Sequence, residues 1–432
     1  MLESDEAARR LGVKVTTLYA YVSRGLLASH PSGSGRRRLF DIDEVERLAR
    51  RSRQGKTVET RLATITTGIT QLTDDGPVYR GRRATGLATA WTFEETAEWL
   101  WDAEGHGPEL GGATADRGAA PLGEEAPTWL PAALGPLPEV GSSDRMRWAL
   151  VMAGALDPLR ADLRPEAVTR TARRVAASMV GVLGPPAGTP PAGKGRDDRP
   201  CDRGAVGDDR PLPLVLDDGR SRTGSIAERL TVALAPTPTS ELVRAVNAAL
   251  VLMADHELAT STMAVRLAAS TRADVYDALL AALATLAGPL HGGASQLAYS
   301  LLDDAHRHGV EQALNDTLRW QGLLPGFGHT VYKNGDARFT VLLALFEQLA
   351  PPEHVDLVRS LIELAADHTI PLPNVDLGLA AMAWSTGMRP DAGRTLFTVA
   401  RVAGWVAHYL EELGERPLRY RARAVYASPG RT

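Results

Sequence analysis

The stretch AGPLHGGASQ, Ala287–Gln296, interrupts a long helical pattern rich in alanine and leucine. A proline turn precedes His291, and Gly292 and Gly293 follow it directly. Proline ends a helix, and glycine lets a backbone approach a neighbouring group closely. We therefore expect the helix to end before Pro289 and His291 to be presented in a loop, close to a group that needs an unobstructed backbone.

The whole chain favours a helical, multidomain protein. Its 432 residues predict two or three domains, and an apolar share of 44% with only 5% aromatic residues suits close packing of helices. We expect an all-α fold. The sequence lacks an apolar run of the roughly 18 residues that cross a bilayer, and the start MLESDEAARR lacks the apolar region of a signal peptide. These features predict a cytoplasmic protein with no membrane partner.

Charge and cysteine content narrow the possible partners. Residues 1–56 carry a net charge of +5, which leaves −9 for the remainder of a chain with net charge −4. A basic head on an acidic body predicts an anionic partner for the head alone. The single cysteine, Cys201, excludes an intramolecular disulfide and a cysteine-based metal cluster. We interpret it as a surface thiol without a role.

The head, residues 1–54, has the spacing of a helix-turn-helix. Ala7, Ala8 and Leu11 share one short helix face, Gly12 ends it, and Thr16 can cap a second helix. The second helix would carry the apolar side chains of Leu18, Tyr19 and Val22. The sequence SGSGRRRLF, residues 32–40, then predicts a flexible wing tip with three arginines, and Asp43 is expected to start a third helix.

This pattern resembles the winged helix-turn-helix heads of MerR-type regulators and excisionases, in which the second helix enters the major groove of DNA. The resemblance implies two sets of DNA contacts. Those facing DNA from the second helix would be Thr16, Thr17, Tyr19, Tyr21 and Arg24, and those on phosphates would be Arg36, Arg37 and Arg38. The alternative is a small protein-interaction domain whose arginines are simply solvated.

Residues 184–222 separate two helical regions. They are rich in proline, glycine, aspartate and arginine and have no helical period. With too few apolar residues to form a core, they predict a disordered surface insertion within one domain.

Four later segments place ionisable residues within apolar helical patterns. They are LMADHELATST (252–262), GPLHGGASQ (288–296), LLPGFGHTVYKNGDARF (323–339) and PLPNVDLGLA (371–380). No pair of histidines has the close helical spacing of a zinc site, so we predict no metal. Histidines elsewhere in the chain are interpreted as structural: His30, His106, His306, His308, His354 and His368.

Taken in this order, the four segments resemble the signatures of the citrate synthase family. The matching elements are an Asp-His-Glu segment, a Gly-Pro-Leu-His-Gly-Gly-Ala turn, a Gly-Phe-Gly-His loop ending in Asp-x-Arg, and a Pro-Asn-Val-Asp segment. Residues 68–101 and 396–412 extend the resemblance, which covers roughly residues 57–428. It implies a helical large domain in two parts, residues 57–275 and 380–432, and a small helical domain, residues 276–379. A cleft between them would close over the substrates.

The resemblance also assigns roles in condensing acetyl-CoA with oxaloacetate, for which no cofactor is needed beyond the CoA thioester. Asp376 matches the general base for the acetyl methyl group. His291 matches the neutral donor to the thioester oxygen, with its other ring nitrogen held by the backbone. His329 matches the group that polarises the ketone, and His256 matches a further oxaloacetate contact.

Further positions match ligand contacts. Planar guanidinium groups pair well with the two carboxylates of oxaloacetate, and the matching arginines are Arg338, Arg401 and Arg421. In the family, the last of these reaches the site of the neighbouring subunit, which implies a homodimer with shared sites. The matching CoA contacts are Pro325, Gly326, Phe327, Gly328 and Lys333.

Arg401 is also conspicuous from its spacing alone. It shares a face of a very apolar helical run with Trp405 and His408. A charge on such a helix indicates a buried anionic ligand, and the alternative is a structural salt bridge.

Six positions depart from the family pattern, and several of them border the substrates: Met253, Ser295, Thr330, Ala337, Leu377 and Gly378. They leave open whether the acyl substrate is acetyl-CoA or, as in 2-methylcitrate synthase, propionyl-CoA. The basic head leaves open a third reading, a DNA-binding regulator whose synthase-like body senses a metabolite. An active enzyme that also binds DNA would combine the two functions.

Overall fold

The structure is a computed structural model that describes two separate units of the chain. The described residues are 1–11, 13, 15, 18, 22, 27, 29–31, 38–42, 44–45, 65–102, 140–183, 224–288 and 291–421. The units comprise Met1–Thr66 and Thr67–Thr432. The insertion predicted at residues 184–222 lies outside the described residues, and the predicted division of the body at residues 276 and 379 stays a prediction.

The N-terminal unit combines a short helix with a small sheet. Strands β1 (Leu2–Glu3), β2 (His30–Pro31) and β3 (Arg38–Phe40) form an antiparallel sheet in the order β1-β3-β2, beside helix α1 (Ser4–Leu11). The predicted helix face is confirmed, because Ala7, Ala8 and Leu11 are buried with Leu18, Leu27, Phe40 and Val45. The β2-β3 pair fits the predicted wing.

Most of the predicted DNA contacts lie outside the described residues. Those positions are Thr16, Thr17, Tyr19, Tyr21, Arg24, Arg36 and Arg37, and the predicted helix start at Asp43 also lies outside them. Arg38 is described: its side chain is exposed, and its Nη1 donates to the Ser29 hydroxyl at 2.8 Å.

The second unit is mainly helical, as predicted. Its helices are α2 (Ala84–Ala90), α3 (Phe93–Trp101), α4 (Ser142–Leu156), α5 (Pro165–Gly181), α6 (Ile226–Leu234), α7 (Ser240–Leu252), α8 (Thr260–Ser270), α9 (Val275–Leu286), α10 (Ala294–His308), α11 (Val310–Gln321), α12 (Ala337–Leu349), α13 (Pro352–Asp367), α14 (Val375–Ser385) and α15 (Ala392–Leu413). Side chains of α10–α14 form an apolar cluster of their own, and most of the other helices share the main core.

A small sheet, which the sequence did not predict, opens this unit. Strands β4 (Thr70–Thr73), β5 (Gly76–Tyr79) and β6 (Arg82–Arg83) are antiparallel, with Thr70 opposite Tyr79. The buried Tyr79 hydroxyl lies 3.0 Å from the Leu252 carbonyl and 3.1 Å from the carbonyls of Val251 and Asp255. The sheet therefore anchors the turn that follows α7.

Helix α15 approaches this turn without an intervening side chain. The Gly404 amide donates to the Ala254 carbonyl at 2.9 Å. A Cβ atom on Gly404 would collide with the Asp255 carboxylate and the Ala254 carbonyl. Glycine is therefore required here for close approach, and the contact fixes the position of α15 relative to residues 254–255.

The opening stretch adopts the expected break. Helix α9 ends at Leu286, and the His291 amide donates to the Gly288 carbonyl at 3.0 Å. A Cβ atom on Gly292 would collide with the Leu286 carbonyl. The bare backbone is thus needed for the chain to fold back onto the end of its own helix, which is a different reason from room for a ligand.

No helix among the described residues is both long enough and apolar enough to cross a membrane. A cytoplasmic location stays a prediction.

Candidate functional site

The loop after α11 and the N-terminus of α14 are joined by backbone hydrogen bonds. The Gly328 amide donates to the Leu372 carbonyl, and the Asn374 amide donates to the Gly326 carbonyl, both at 2.8 Å. The Asn374 side-chain amide also donates to the Gly328 carbonyl at 2.6 Å. These bonds hold two of the four predicted segments as one unit.

The Asp336 carboxylate completes this connection. Its two oxygens accept from Arg338 Nε at 2.9 Å and Nη2 at 2.8 Å, and Oδ2 also accepts from the Val375 amide at 3.0 Å. Although burial opposes it, the Arg338 guanidinium lowers the pKa of Asp336. One buried carboxylate therefore positions both the arginine on α12 and the first turn of α14.

His256, His329 and Tyr332 form a compact cluster. His256 Nε2 lies 2.9 Å from the Tyr332 hydroxyl, and the rings of His256 and His329 are 5.4 Å apart. The ring of His329 stacks on that of Tyr332 at 4.6 Å, and the Arg338 guanidinium lies 5.1 Å from the Tyr332 ring. Predicted substrate contacts from two of the four segments are thus brought together.

The backbone determines which nitrogen of His329 carries the proton. His329 Nδ1 accepts from the Val331 amide at 3.0 Å and from the Tyr332 amide at 3.2 Å. Burial and then the Arg338 charge lower the pKa of His329, which favours the neutral ring. A neutral ring that accepts at Nδ1 must carry its proton on Nε2, so His329 is a preset Nε2–H donor.

His256 shares this electrostatic environment. Burial, followed by the charges of Arg338 and Arg401, lowers the pKa of His256 well below its ordinary value. It is therefore neutral near pH 7 and can hydrogen-bond without adding charge.

His291 is held by a side chain that the sequence did not identify. Its Nε2 lies 2.9 Å from the Ser261 hydroxyl, which also accepts from Trp405 Nε1 at 3.3 Å. The expected backbone contact to a ring nitrogen of His291 stays a prediction, and the partner at Nε2 is a side chain. Because the tryptophan supplies a donor to Ser261 Oγ, the serine proton is free to point at His291.

Burial and then the Arg401 charge lower the pKa of His291. If the Ser261 proton points at Nε2, the neutral ring carries its own proton on Nδ1 and offers it to a ligand.

Asp376 lies in the first turn of α14, and its amide donates to Asn374 Oδ1 at 2.9 Å. A helix N-terminus and the charges of Arg338 and Arg401 all favour an ionised carboxylate. Burial outweighs them and raises the pKa of Asp376 to about 6. This is the range expected of a carboxyl group that exchanges protons near neutral pH.

Arg401 is 1% exposed, yet no salt bridge joins it to another of the described residues. Its Nε donates to the Met253 carbonyl at 3.0 Å, and its guanidinium lies 4.6 Å from the Phe397 ring. Within the described part of the chain, its Nη groups and Arg338 Nη1 have no hydrogen-bond partner. The structural salt bridge considered for Arg401 is therefore absent among these residues. The contact at residue 253 uses the backbone, so the departure at Met253 does not affect it.

Two predicted ligand contacts, Lys333 and Arg421, are exposed and make no side-chain to side-chain hydrogen bond with this cluster among the described residues. Lys333 is exposed, and its Nζ donates to the His329 carbonyl at 3.0 Å. Arg421 is exposed, and no hydrogen bond or ion pair joins it to the site residues in the described ranges. The Pro325–Gly328 segment is ordered by its bonds to residues 372–374.

Several residues that shape the site were missed or given no role from sequence. They are Ser261, Tyr332 and Asp336. Ser261 and Tyr332 occur in segments that the sequence singled out, but their hydroxyls carry no distinguishing spacing. Only the fold reveals which histidine each one contacts.

Neutral histidines, two unpaired guanidinium edges and a carboxyl group of raised pKa together form a site suited to acid–base chemistry on an anionic substrate. Residues 58–423 match the family model described as citrate synthase, C-terminal domain, and residues 1–53 match a helix-turn-helix domain model. The chain belongs to the citrate synthase family.

Similar proteins carry two enzyme names. The chain is 36% identical to citrate synthase of Thermoplasma acidophilum over 212 residues, covering 46% of this chain and 55% of that protein. It is 31% identical to citrate synthase 2 of Bacillus subtilis over 290 residues, covering 66% and 72%. Identity to 2-methylcitrate synthase 1 of Corynebacterium glutamicum is 33% over 181 residues, covering 41% and 48%. The matches thus span about half the length of several of these relatives.

The fold has a solved counterpart. The ternary complex of carboxymethyl coenzyme A and oxaloacetate with Thermoplasma acidophilum citrate synthase matches with a TM-score of 0.65 and 26% identity. That match covers 88% of this chain and 97% of the other. Citrate synthase of Thermotoga maritima matches with a TM-score of 0.62 at 24% identity, covering 85% and 94%.

The raised pKa of Asp376 predicts a pH-dependent stability difference. The folded state binds this proton more tightly than the unfolded chain, so its stabilising effect is complete below about pH 4 and is lost as pH rises through about 6. Asp376→Asn should therefore stabilise the protein well above pH 6, by about 3 kcal/mol, and make little difference at pH 4. Calorimetric melting at both pH values measures this effect.

Asp316→Asn, which removes an exposed carboxylate on α11, is the control. Equal pH dependence of the two variants, or a parent more stable than Asp376→Asn above pH 6, would contradict this assignment.

Proposed function

We propose that this protein condenses acetyl-CoA with oxaloacetate and water to give citrate and CoA, without a metal or a covalent enzyme intermediate. The observation that supports this most strongly is the preset Nε2–H of His329 in a cluster whose charge comes from two buried guanidinium groups with unpaired edges, Arg338 near His329 and Arg401 near His256. A ketone flanked by two carboxylates is complementary to such an arrangement.

The two arginines would bind the carboxylates of oxaloacetate. Arg338 is 2% exposed and is fixed by Asp336, and Arg401 is fixed by the Met253 carbonyl. Charges held in a buried site do not need to reorient when substrate arrives. His256 would provide a further contact, oriented by Tyr332.

The first chemical step would be removal of a methyl proton from the thioester. Asp376 takes the proton, the electrons of the C–H bond move into the carbonyl, and His291 hydrogen-bonds the oxygen as the enol forms. The enol carbon then attacks the ketone carbon of oxaloacetate, whose oxygen receives a proton from His329. Water hydrolyses the resulting thioester to citrate and CoA.

The neutral state of the histidines supports this scheme. The pKa values of His291 and His329 are lowered by burial and by the arginines, so both rings are neutral donors near pH 7. A neutral donor matches the weak acidity of an enol better than an imidazolium would. The same cations favour ionised Asp376, which can then act as the base.

The CoA portion would follow the loop after α11. Pro325–Gly328 would contact the adenine, and Lys333, exposed at the end of this loop, would contact a phosphate. Lysine is suited to phosphate as a mobile point charge.

The alternative substrate is propionyl-CoA, which would give 2-methylcitrate. It is favoured by the similarity to 2-methylcitrate synthase 1 of Corynebacterium glutamicum at 33% identity, close to the 36% found for the citrate synthase of Thermoplasma acidophilum. One methylene alters binding by about 1–3 kcal/mol, or roughly 10–200-fold in kcat/KM.

Release of free thiol tests the activity. The parent should release thiol only when oxaloacetate and an acyl-CoA are both present, and kcat should rise with pH to a plateau above about 6, where Asp376 is ionised. Asp376→Asn should lower kcat about a thousandfold, whereas Asp316→Asn should match the parent. Comparing kcat/KM for acetyl-CoA and propionyl-CoA identifies the acyl substrate. No thiol release from either one, or an undiminished rate in Asp376→Asn, would contradict the proposal.

We also propose a homodimer in which Arg421 completes the partner's oxaloacetate site. Arg421 is exposed and follows Arg419 and Tyr420, which are anchored on Glu412. Trp148 and Val151, on consecutive turns of α4, are about half exposed. Large exposed apolar side chains on one helix are typical of an interface.

Complementation tests this arrangement. Asp376→Asn and Arg421→Ala subunits should each be inactive alone but active when co-expressed, because one of the two sites in a mixed dimer has both residues intact. Random pairing in a twofold-symmetric dimer predicts roughly a quarter of the parent activity. No recovery from a dimer confirmed to be mixed by mass spectrometry would show that Arg421 does not cross between subunits.

We propose that the N-terminal unit binds DNA, so that the protein is an enzyme with a second function. This is supported by the helix-turn-helix match over residues 1–53 and by the antiparallel β2-β3 pair. A dimeric body would supply two heads for a palindromic site. The alternative, a regulator whose body only senses metabolites, is disfavoured by the intact set of acid–base groups.

Salt dependence tests the DNA interaction. Affinity for duplex DNA should fall steeply with salt, and replacing Arg36, Arg37 and Arg38 by alanine should reduce the slope of log K against log salt by about 3. A charge-matched control replaces the exposed arginines Arg307, Arg319 and Arg359 of the second unit. Affinity that is insensitive to salt, or equal effects of the two triple variants, would rule out this use of the head.

A further inference from the structure

Helices α8 and α15 enclose a hydrogen-bonded network of ionisable side chains to which the proposed chemistry gives no role. Asp255, Arg266, His408 and Glu412 are each 0% exposed. Burying charged groups is costly unless every group is paired, so a buried network of this kind needs a reason beyond packing. Its two ends lie at different functional elements, the turn that carries His256 and the segment that carries Arg421.

His408 is the centre of this network. Arg266 donates to its Nδ1 from Nε at 3.1 Å and from Nη2 at 2.9 Å, and its Nε2 lies 3.2 Å from Asp255 Oδ2. Because arginine can only donate, Nδ1 of His408 must be the acceptor. The ring proton therefore sits on Nε2 and is donated to Asp255.

Asp255 shapes the turn that presents His256. Its Oδ2 also accepts from the Glu257 amide at 3.2 Å, and Glu257 has a φ of 55°. A non-glycine residue in this left-handed region is strained and is retained only where its surroundings hold it. The Asp255 carboxylate, itself held by His408, restrains the left-handed residue of the turn. His256 lies between Asp255 and Glu257, so this restraint acts on the backbone that presents its ring.

The other end of the network holds the segment Arg419–Arg421. Arg266 Nη1 donates to Glu412 Oε2 at 3.0 Å. Arg419 donates to the same carboxylate at 2.7 Å and 2.5 Å, and the Tyr420 hydroxyl donates to it at 2.6 Å. Arg266 also pairs with Glu411. Arg421 comes directly after these two anchors.

We propose that His408 is a positioning residue for His256, and that Asp255, His408, Arg266 and Glu412 couple docking of the Arg419–Arg421 segment to the order of the oxaloacetate site. Each member holds the next by a hydrogen bond to a charged group, so loosening one end removes a restraint from the other. The oxaloacetate end of this inference rests on the proposed function, and the physical coupling does not.

Two substitutions of His408 separate positioning from general stability. His408→Gln can place an amide N–H near the position of Nε2 and keep the bond to Asp255. His408→Asn can place an oxygen near Nδ1 for Arg266 but has no donor within reach of Asp255. We expect the asparagine variant to raise the KM for oxaloacetate about tenfold, the effect of losing one hydrogen bond to a charged group, and the glutamine variant to rescue most of this. The KM for acetyl-CoA should change less than twofold in both, by the same reasoning.

A merely structural role would give a different pattern. In that case both variants would impair both substrates in proportion to their loss of melting temperature. That result, or an unchanged KM for oxaloacetate in His408→Asn, would overturn the positioning role.

Hydrogen exchange tests the coupling without any substrate. Arg419→Gln weakens the hold on Glu412 while leaving the buried Arg266–Glu412 pair intact. Peptides spanning residues 253–259 should exchange about fivefold faster in this variant, as expected for weakening one ordinary hydrogen bond, while peptides of α2 stay at the parent rate. Arg359→Gln, which breaks the surface pair between Arg359 and Glu347, is the matched control and should leave the turn unchanged.

The possible results distinguish the two claims. If the parent releases no thiol with either acyl-CoA, the proposed function fails, and the exchange experiment still decides the coupling. If the parent is active but residues 253–259 exchange at the parent rate in Arg419→Gln, only the coupling fails. Uniformly faster exchange across the body would also overturn it.

Discussion

The Asp336 carboxylate is the contact on which the site depends. It accepts from the backbone and side chain of Arg338 and from the Val375 amide, and so fixes one substrate arginine and the helix start that carries Asp376 in a single geometry. Without it, a buried guanidinium would lose its only carboxylate partner among the described residues, and the first turn of α14 would lose its link to that arginine. Both the base and a binding cation would then be misplaced together.

Burial shifts the pKa values of the basic and acidic groups of the site in opposite directions, because it disfavours the charged form of each. Burial lowers the pKa values of the three site histidines and raises that of Asp376 to about 6, while Arg338 and Arg401 limit the rise. The histidines thus remain neutral donors while the carboxyl group can still ionise. The same two arginines therefore serve binding and proton transfer, which is why they are fixed by protein groups on one side and unpaired on the other.

The sequence predicted the elements that have strong local signals. The helix break before His291, the apolar face of α1 and the shared face of Arg401, Trp405 and His408 all follow from spacing, and the structure agrees with them. The strands β4–β6 were missed because each has at most four residues and no alternating pattern. The glycines after His291 predicted a close approach to a neighbouring group without identifying it, and at Gly292 that group is the Leu286 carbonyl.

Tertiary partners were beyond the sequence. Nothing in the spacing shows that Ser261 contacts His291, that Asp336 holds both Arg338 and α14, or that His408 joins Asp255 to Arg266. These pairs are separated by up to 153 residues and are created by the packing of α8, α14 and α15. The roles of the site residues came from family resemblance, and the structure adds the physical reasons why those side chains could perform them.

Exchange of the acetyl-CoA methyl protons with deuterated solvent tests the central claim most directly, because it isolates the action of the buried base from the later steps. With an unreactive hydroxydicarboxylate in place of oxaloacetate, proton NMR should show loss of the methyl signal at a rate that rises with pH through an apparent pKa near 6, and Asp376→Asn should abolish it. Exchange at the same rate in the Asp376→Asn variant, or exchange lost only in variants distant from this carboxyl group, would contradict the assignment of Asp376 as the base.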